Sequence, residues 1–273
     1  GHGDYNADGY ADVLIGAPYA DNPFTLLKNT GSVTVLFGPY GSSPQVIYGE
    51  QANALAGSAV AFGDLNNDGN DDLLLGAPRE DDLVNGIKDA GSVSIYYFSA
   101  GKVQQHFGDA PKDYFGSSLA SGDYDNDGND DVMVGAPNAD DADNSLKDAG
   151  RVVVFDASQT NALFSVYGSA AKTLLGKSLA TGDTNNDGDD EVIVGAPGAD
   201  SNGMKDNGAV LVYAGNDGSQ LTSIAGLTSK AGMGNSVAAG DITGDGYADV
   251  IAGAWKDDAP TVPKVTKDVG SLT

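Results

Sequence analysis

The 273-residue chain has no cysteine, one tryptophan (Trp255) and two histidines (His2 and His106). Without thiols, a disulfide framework, a thiolate metal site and a cysteine nucleophile are all excluded. Basic residues are scarce: 14 Lys and Arg stand against 39 Asp and Glu, for a net charge of −25. Phosphate binding requires a basic stripe, so no nucleic-acid partner is expected. Glutamate is nearly missing too, with only Glu50, Glu80 and Glu191 among the acids and Asp making up the rest. General solubility would draw on both acids, whereas Asp dominance points to turns and to oxygen-ligand sites that want a short carboxylate. No apolar run approaches the roughly 18 residues of a membrane-spanning helix, so no transmembrane segment is expected. Apolar residues at helical spacing are also lacking, which argues against helices.

What the chain does have is 39 glycines and an internal repeat. The stretch "DYDNDGNDDVMVGAP" from Asp123 recurs as "DYNADGYADVLIGAP" from Asp4, "DLNNDGNDDLLLGAP" from Asp64, "DTNNDGDDEVIVGAP" from Asp183 and "DITGDGYADVIAGAW" from Asp241. The first aspartates are 60, 59, 60 and 58 residues apart. A fixed period of this kind marks a repeat architecture. Each unit reads as four short strands. An alternating one such as Ser117–Gly122 comes first, followed by a continuous apolar run such as Val132–Val134, the kind covered on both faces. A third strand follows ("GSVTVLF", "GSVSIYYF", "GRVVVF", "GAVLVY"), then a fourth ("PQVIYG", "VQQHFG", "LFSVYG", "LTSIAG"). Four strands per unit with turn signals between them predict an all-β fold, a β-propeller of four-stranded blades of about 60 residues. A β-solenoid would use much shorter repeats.

Counting the first Asp of each loop as position 1, oxygen side chains fall at 1, 3, 5 and 9, with Gly at 6. The sets are Asp4, Asn6, Asp8 and Asp12; Asp64, Asn66, Asp68 and Asp72; Asp123, Asp125, Asp127 and Asp131; Asp183, Asn185, Asp187 and Glu191; and Asp241, Thr243, Asp245 and Asp249. The backbone carbonyl at position 7 (Tyr10, Asn70, Asn129, Asp189, Tyr247) would complete each shell. Alternate positions in a tight loop can converge on one centre, and Gly supplies the turn. A donor set of hard oxygens only predicts Ca²⁺, up to five ions, rather than zinc or copper. An EF-hand would need a bidentate Glu at position 12, where Ile15, Leu75, Val134, Val194 and Ala252 stand, and its flanks would be helical. Without metal, clustered carboxylates would repel one another or protonate.

These units resemble FG-GAP repeats, found in the β-propeller of integrin α subunits and in bacterial relatives. Phe115-Gly116 opens one unit, and Gly-Ala-Pro closes the acidic-loop strand in four of five. The departures are Ala56, Leu175 and Met233 for the opening Phe, Thr243 as a weak third ligand, and Trp255 in place of Pro. The resemblance covers nearly the whole chain as one propeller region, 1–273, with partial units at both ends and unit boundaries near 57, 116, 176 and 234. It implies calcium in the loop between a blade's first and second strands. It also implies an extracellular or cell-surface setting, and protein or glycan ligands engaged from the opposite face. There the loops joining strands two and three vary: "YADNPFTLLKNT", "REDDLVNGIKDA", "NADDADNSLKDA", "GADSNGMKDN" and "KDDAPTVPKVTKD". Family rings commonly have seven blades, so two readings stand for this stretch: a fragment of a larger propeller, or a protomer whose open blade edges pair with another chain.

No enzyme constellation is visible. His2 and His106 do not recur in the repeat, no Gly-x-Ser-x-Gly elbow occurs, and the metal reading uses one acid of each pair such as Asp71-Asp72 or Asp130-Asp131. A non-enzymatic binding or adhesion module is the expectation. A structural subunit of an extracellular assembly is the second reading, and the propeller of a polysaccharide-cleaving enzyme the third.

Overall fold

In the computed structural model, residues 2–256 are described apart from 40–42, 99 and 158–161, so the variable loop beyond Lys256 and the closing "GSLT" lie outside the described residues. The first sheet contains β1 (His2–Gly3), β2 (Asp12–Ala17), β3 (Ser32–Leu36) and β4 (Gln45–Tyr48). The second has β5 (Ala59–Gly63), β6 (Asp72–Ala77), β7 (Ser92–Tyr97) and β8 (Gly101–Phe107). The third has β9 (Ser118–Gly122), β10 (Asp131–Ala136), β11 (Arg151–Phe155) and β12 (Ala162–Tyr167). The fourth has β13 (Ser178–Gly182), β14 (Glu191–Ala196), β15 (Ala209–Tyr213) and β16 (Gln220–Ala225), and the fifth pairs β17 (Met233–Gly240) with β18 (Asp249–Ala254). Within each sheet neighbouring strands are antiparallel and follow chain order, the meander of a propeller blade. Among the described residues there is no helix, and none is long and apolar enough to cross a membrane.

The blades stack because their second strands are apolar on both faces. β6, β10 and β14 are buried along their whole length. In β10, Val132 and Val134 pack toward the second blade with Leu74, Val93 and Ile95, while Met133 packs toward the fourth with Val192 and Val194. Alternate side chains of one strand thus belong to two cores, as the two-residue period of a strand requires. Inner strands β5, β9, β13 and β17 pack on one another in succession. The close stacking is tightest where "GAP" meets "FG": a Cβ on Gly135 would collide with the carbonyl oxygen of Gly176 in the next blade.

The two end faces differ from the rest. Ile15 of β2 is 47% exposed, whereas its counterparts Leu75, Val134 and Val194 are at 3% or less. No core cluster joins β2 to β18, so the ring is open among the described residues. Toward the rim, the register between third and fourth strands shifts at Ile95/Tyr96, Val154/Phe155 and Val212/Tyr213.

Truncating Met133 to Ala should open a void between two blades and cost about 2–5 kcal/mol, whereas Ile15→Ala at the open face should cost under about 1 kcal/mol. Equilibrium urea unfolding of the two variants checks the contrast.

Candidate metal centre

Each acidic loop leaves the inner strand and turns back into the buried second strand, and all five share one hydrogen-bond scheme. The position-1 carboxylate accepts from the N–H of the position-6 glycine at 2.8–3.1 Å: Asp4 from Gly9, Asp64 from Gly69, Asp123 from Gly128, Asp183 from Gly188 and Asp241 from Gly246. The position-5 carboxylate accepts from the position-7 N–H at 2.8–3.1 Å, pairing Asp8 with Tyr10, Asp68 with Asn70, Asp127 with Asn129, Asp187 with Asp189 and Asp245 with Tyr247. Position 6 is left-handed throughout, as the sequence suggests, and so is position 4, where Asn67, Asn126, Asn186, Gly244 and Ala7 stand. Asn and Gly tolerate that conformation, and Ala7 is the odd one out.

The position-9 acid begins the second strand and is buried in every blade: Asp12, Asp72, Asp131, Glu191 and Asp249 are all at 2% exposure or less. Each accepts from the position-2 N–H (Tyr5, Leu65, Tyr124, Thr184, Ile242) at 2.7–3.2 Å, which fixes the loop's entry to its exit. Burial pushes the carboxyls of Asp72 and Asp131 up to about 7, helped by neighbouring loop acids, and raises Glu191 as well. Loss of hydration is the main cause in all three.

In the third loop, Asp123, Asp125 and Asp131 bring carboxylate oxygens within 4.8 Å of one another, close enough to hold a metal ion. Among the described residues this is the one such gathering. Asp125 Oδ1 is buried without a hydrogen-bond partner, as is Asn66 Oδ1 at the same position in the second loop. A buried oxygen with a free lone pair, among oxygen donors alone, fits a hard cation such as Ca²⁺. Asp127 stands outside the gathering and is exposed. In the fourth loop the longer Glu191 reaches Thr184 Oγ1 at 2.6 Å and Asn185 Nδ2 at 2.8 Å, so Asn185 turns its amide nitrogen toward that carboxylate. In the fifth, Asp249 Oδ2 accepts from the backbone of both Ile242 and Thr243.

A second role for these acids is not legible in the loop pattern. Position 8 of one blade clamps position 1 of the blade before it. Asp130 N–H donates to the carbonyl of Asp64 at 2.9 Å, and Asp130 Oδ2 accepts from Asp64 N–H at 3.0 Å. The pair Asp71 and Asp4 repeats this at 3.1 and 2.6 Å. Asp190 N–H donates to Asp123 and Ala248 N–H to Asp183, so the backbone half of the clamp persists without a carboxylate at Ala248. The glycine before position 1 makes room: a Cβ on Gly122 would run into the Asp190 carboxylate. The only sequence signal was the doubled acid at positions 8 and 9.

An all-β propeller with an acidic loop between the first and second strands of every blade defines a class of repeat protein. Residues 56–96, 115–155, 175–213 and 233–254 match the FG-GAP repeat, and residues 4–75 match an FG-GAP-like repeat. The chain belongs to the FG-GAP repeat family, of integrin α-like type. It is 32% identical over 260 residues to integrin alpha pat-2 of Caenorhabditis briggsae, covering 84% of this chain and 20% of that protein. It is 29% identical over 231 residues to integrin alpha-5 of Xenopus laevis, covering 76% and 20%. The chain thus spans about a fifth of the length of the curated relatives it matches. In fold it is similar to the exotype rhamnogalacturonan lyase YesX, with a TM-score of 0.50 at 13% identity over 82% of this chain and 46% of that one.

Two outcomes are expected. Asp130→Ala strands the Asp64 N–H and should cost about 1–3 kcal/mol, with Asp130→Asn recovering most of it; thermal melts read both. In chelator, the raised Asp72 and Asp131 carboxyls stay protonated in the folded chain while their unfolded counterparts ionise. Stability should therefore fall as pH rises from about 4 to about 7, measured as a falling melting temperature.

Proposed function

We propose that this chain is a calcium-clipped, non-enzymatic adhesion module of the cell surface or extracellular space. In this reading up to five Ca²⁺ are held by the loop residues at positions 1, 3, 5, 7 and 9, and a protein or glycan ligand binds at the opposite face. The observation that carries it is where large apolar side chains are exposed. Tyr19, Phe24 and Leu26 in the loop after β2, and Leu83 and Val84 in the loop after β6, are 74–93% exposed. Hydrogen bonds brace those loops. Asp21 Oδ1 accepts from Asn29 N–H and Asp81 Oδ1 from Asp89 N–H, at 2.9 and 2.7 Å, and Asp82 accepts from Val84 and Asn85. Apolar tips on braced loops are the usual make-up of a recognition surface. The likeness to integrin α subunits supports an adhesion role. A catalytic role finds little footing at His106, which lies half-buried 4.5 Å from the Phe155 ring, its pKa lowered by burial.

A second reading, assembly through the open blade faces, draws on the exposure of Ile15. Uncovered apolar blade faces favour association, so light scattering of the 273-residue chain should give a mass above one copy.

The chain in Ca²⁺ should bind one or a few members of an array of extracellular-matrix proteins and glycans free of uronic acids. Phe24→Ser with Val84→Ser should abolish that binding and keep the melting temperature, while chelator should lower both. Binding that survives the double variant, or a melting curve indifferent to chelator, would overturn the reading.

A further inference from the structure

The fifth blade breaks the repeat twice, and the two breaks meet. Where other blades end the second strand with Pro18, Pro78, Pro137 and Pro197, it has Trp255, the only tryptophan in the chain. One position before the opening residue, where other blades have Leu55, Tyr114 and Leu174, it has Gly232. All four of these residues share a left-handed backbone, φ 55° to 61°, so the glycine is not needed for the turn. It makes room for the indole where it stands: a Cβ on Gly232 would lie 2.9 Å from Trp255 Nε1. A bulky side chain has been exchanged for a ring supplied from the neighbouring strand.

Beside the indole lies a cavity of about 330 Å³ between the fourth and fifth blades, on the face opposite the acidic loops. Its wall carries Lys177, Lys230 and Lys256 with Asn235, against a single acid, Asp206. In a chain with 14 basic residues and 39 acidic ones, three lysines around one cavity reverse the prevailing charge. None of the three forms an ion pair among the described residues. Backbone bonds fix their bases: Lys177 N–H to Gly195, Lys230 N–H to Lys205 and Lys256 N–H to Ala231, at 2.8–3.2 Å. Lys256 Nζ sits 4.1 Å from the centre of the Trp255 ring, and the indole remains 65% exposed.

We propose that this cavity is a binding site for a uronic-acid sugar. The lysines would take the carboxylate in charge-assisted hydrogen bonds, Asn235 and the indole N–H offer partners to hydroxyls, and the indole supplies an apolar wall for the ring. A compact cavity walled by one aromatic suits a sugar ring better than an extended acidic peptide, which needs a groove or a strand edge. The site is separate from the apolar loop tips of the first two blades, so its failure would leave the adhesion reading untouched.

Because Trp255 is the sole tryptophan, its emission reports this cavity alone. The chain in Ca²⁺ is titrated with glucuronate and galacturonate, singly and as short oligomers, and with glucose, galactose and a tetra-aspartate peptide. Saturable changes with the uronates, absent with the neutral sugars and weakened by salt, are expected. Lys177→Ala and Lys230→Ala should each weaken binding about tenfold. The double variant Gly232→Leu with Trp255→Pro restores the repeat of the other blades. It should keep the melting temperature in Ca²⁺ and show no heat of uronate binding by calorimetry. Neutral sugars binding equally, the peptide binding in place of the uronates, or no response to any uronate up to about 10 mM would each overturn the proposal.

Discussion

The joint between neighbouring acidic loops is the constraint on which the rest depends. A blade's second strand is apolar on both faces, so it is stable only between two other blades. The loops at its entrance must therefore be registered against theirs. The reciprocal pair between Asp64 and Asp130 does this with two backbone N–H groups, one carbonyl and one carboxylate. The same loops carry the buried position-9 acids, so whatever neutralises those acids also steadies the seam between blades. The gathering of acids and the stacking of blades are one device here.

The seam also separates the two faces of the molecule. On the acidic face all five loops obey one hydrogen-bond scheme, with departures such as Glu191 and Ala248 that leave its backbone part in place. On the other face the loops after β2, β6, β10 and β14 share only their internal braces, such as Asp82 with Asn85 and Asp141 with Asn144. Between the braces, one loop offers Phe24 and Leu26, another Leu83 and Val84, and a third Asp143. A fixed frame with free tips lets recognition vary without disturbing the stack.

Much of this was legible in the sequence, because its signals are local. Position 6 had to be glycine, the "VIVGA" and "VMVGA" runs had to be buried on both faces, and strand order follows from turns of a few residues. The oxygen donors at alternate loop positions were legible too, and the structure gathers Asp123, Asp125 and Asp131 from them. The clamp at position 8 was not, because its partner lies 66 residues away and the loop pattern gives it no ligand role. Nor was the cavity beside Trp255. Read alone, Trp255 and Gly232 are two departures from a motif, and only their contact within the fifth blade shows that one makes room for the other. The asymmetry of the end faces, with Ile15 bare and Val134 sealed, likewise depends on which neighbours are present.

The register shift shared by three blades has a consequence for the rim. The fourth strands β8, β12 and β16 are the outermost, and each would otherwise present a straight row of unpaired N–H and C=O groups to other molecules. Displacing the ladder by one residue near the end of β7, β11 and β15 makes each outer border irregular and more strongly twisted. A foreign strand could then align along only part of its length. A molecule that depends on stacking face to face thereby keeps its blades from growing sideways.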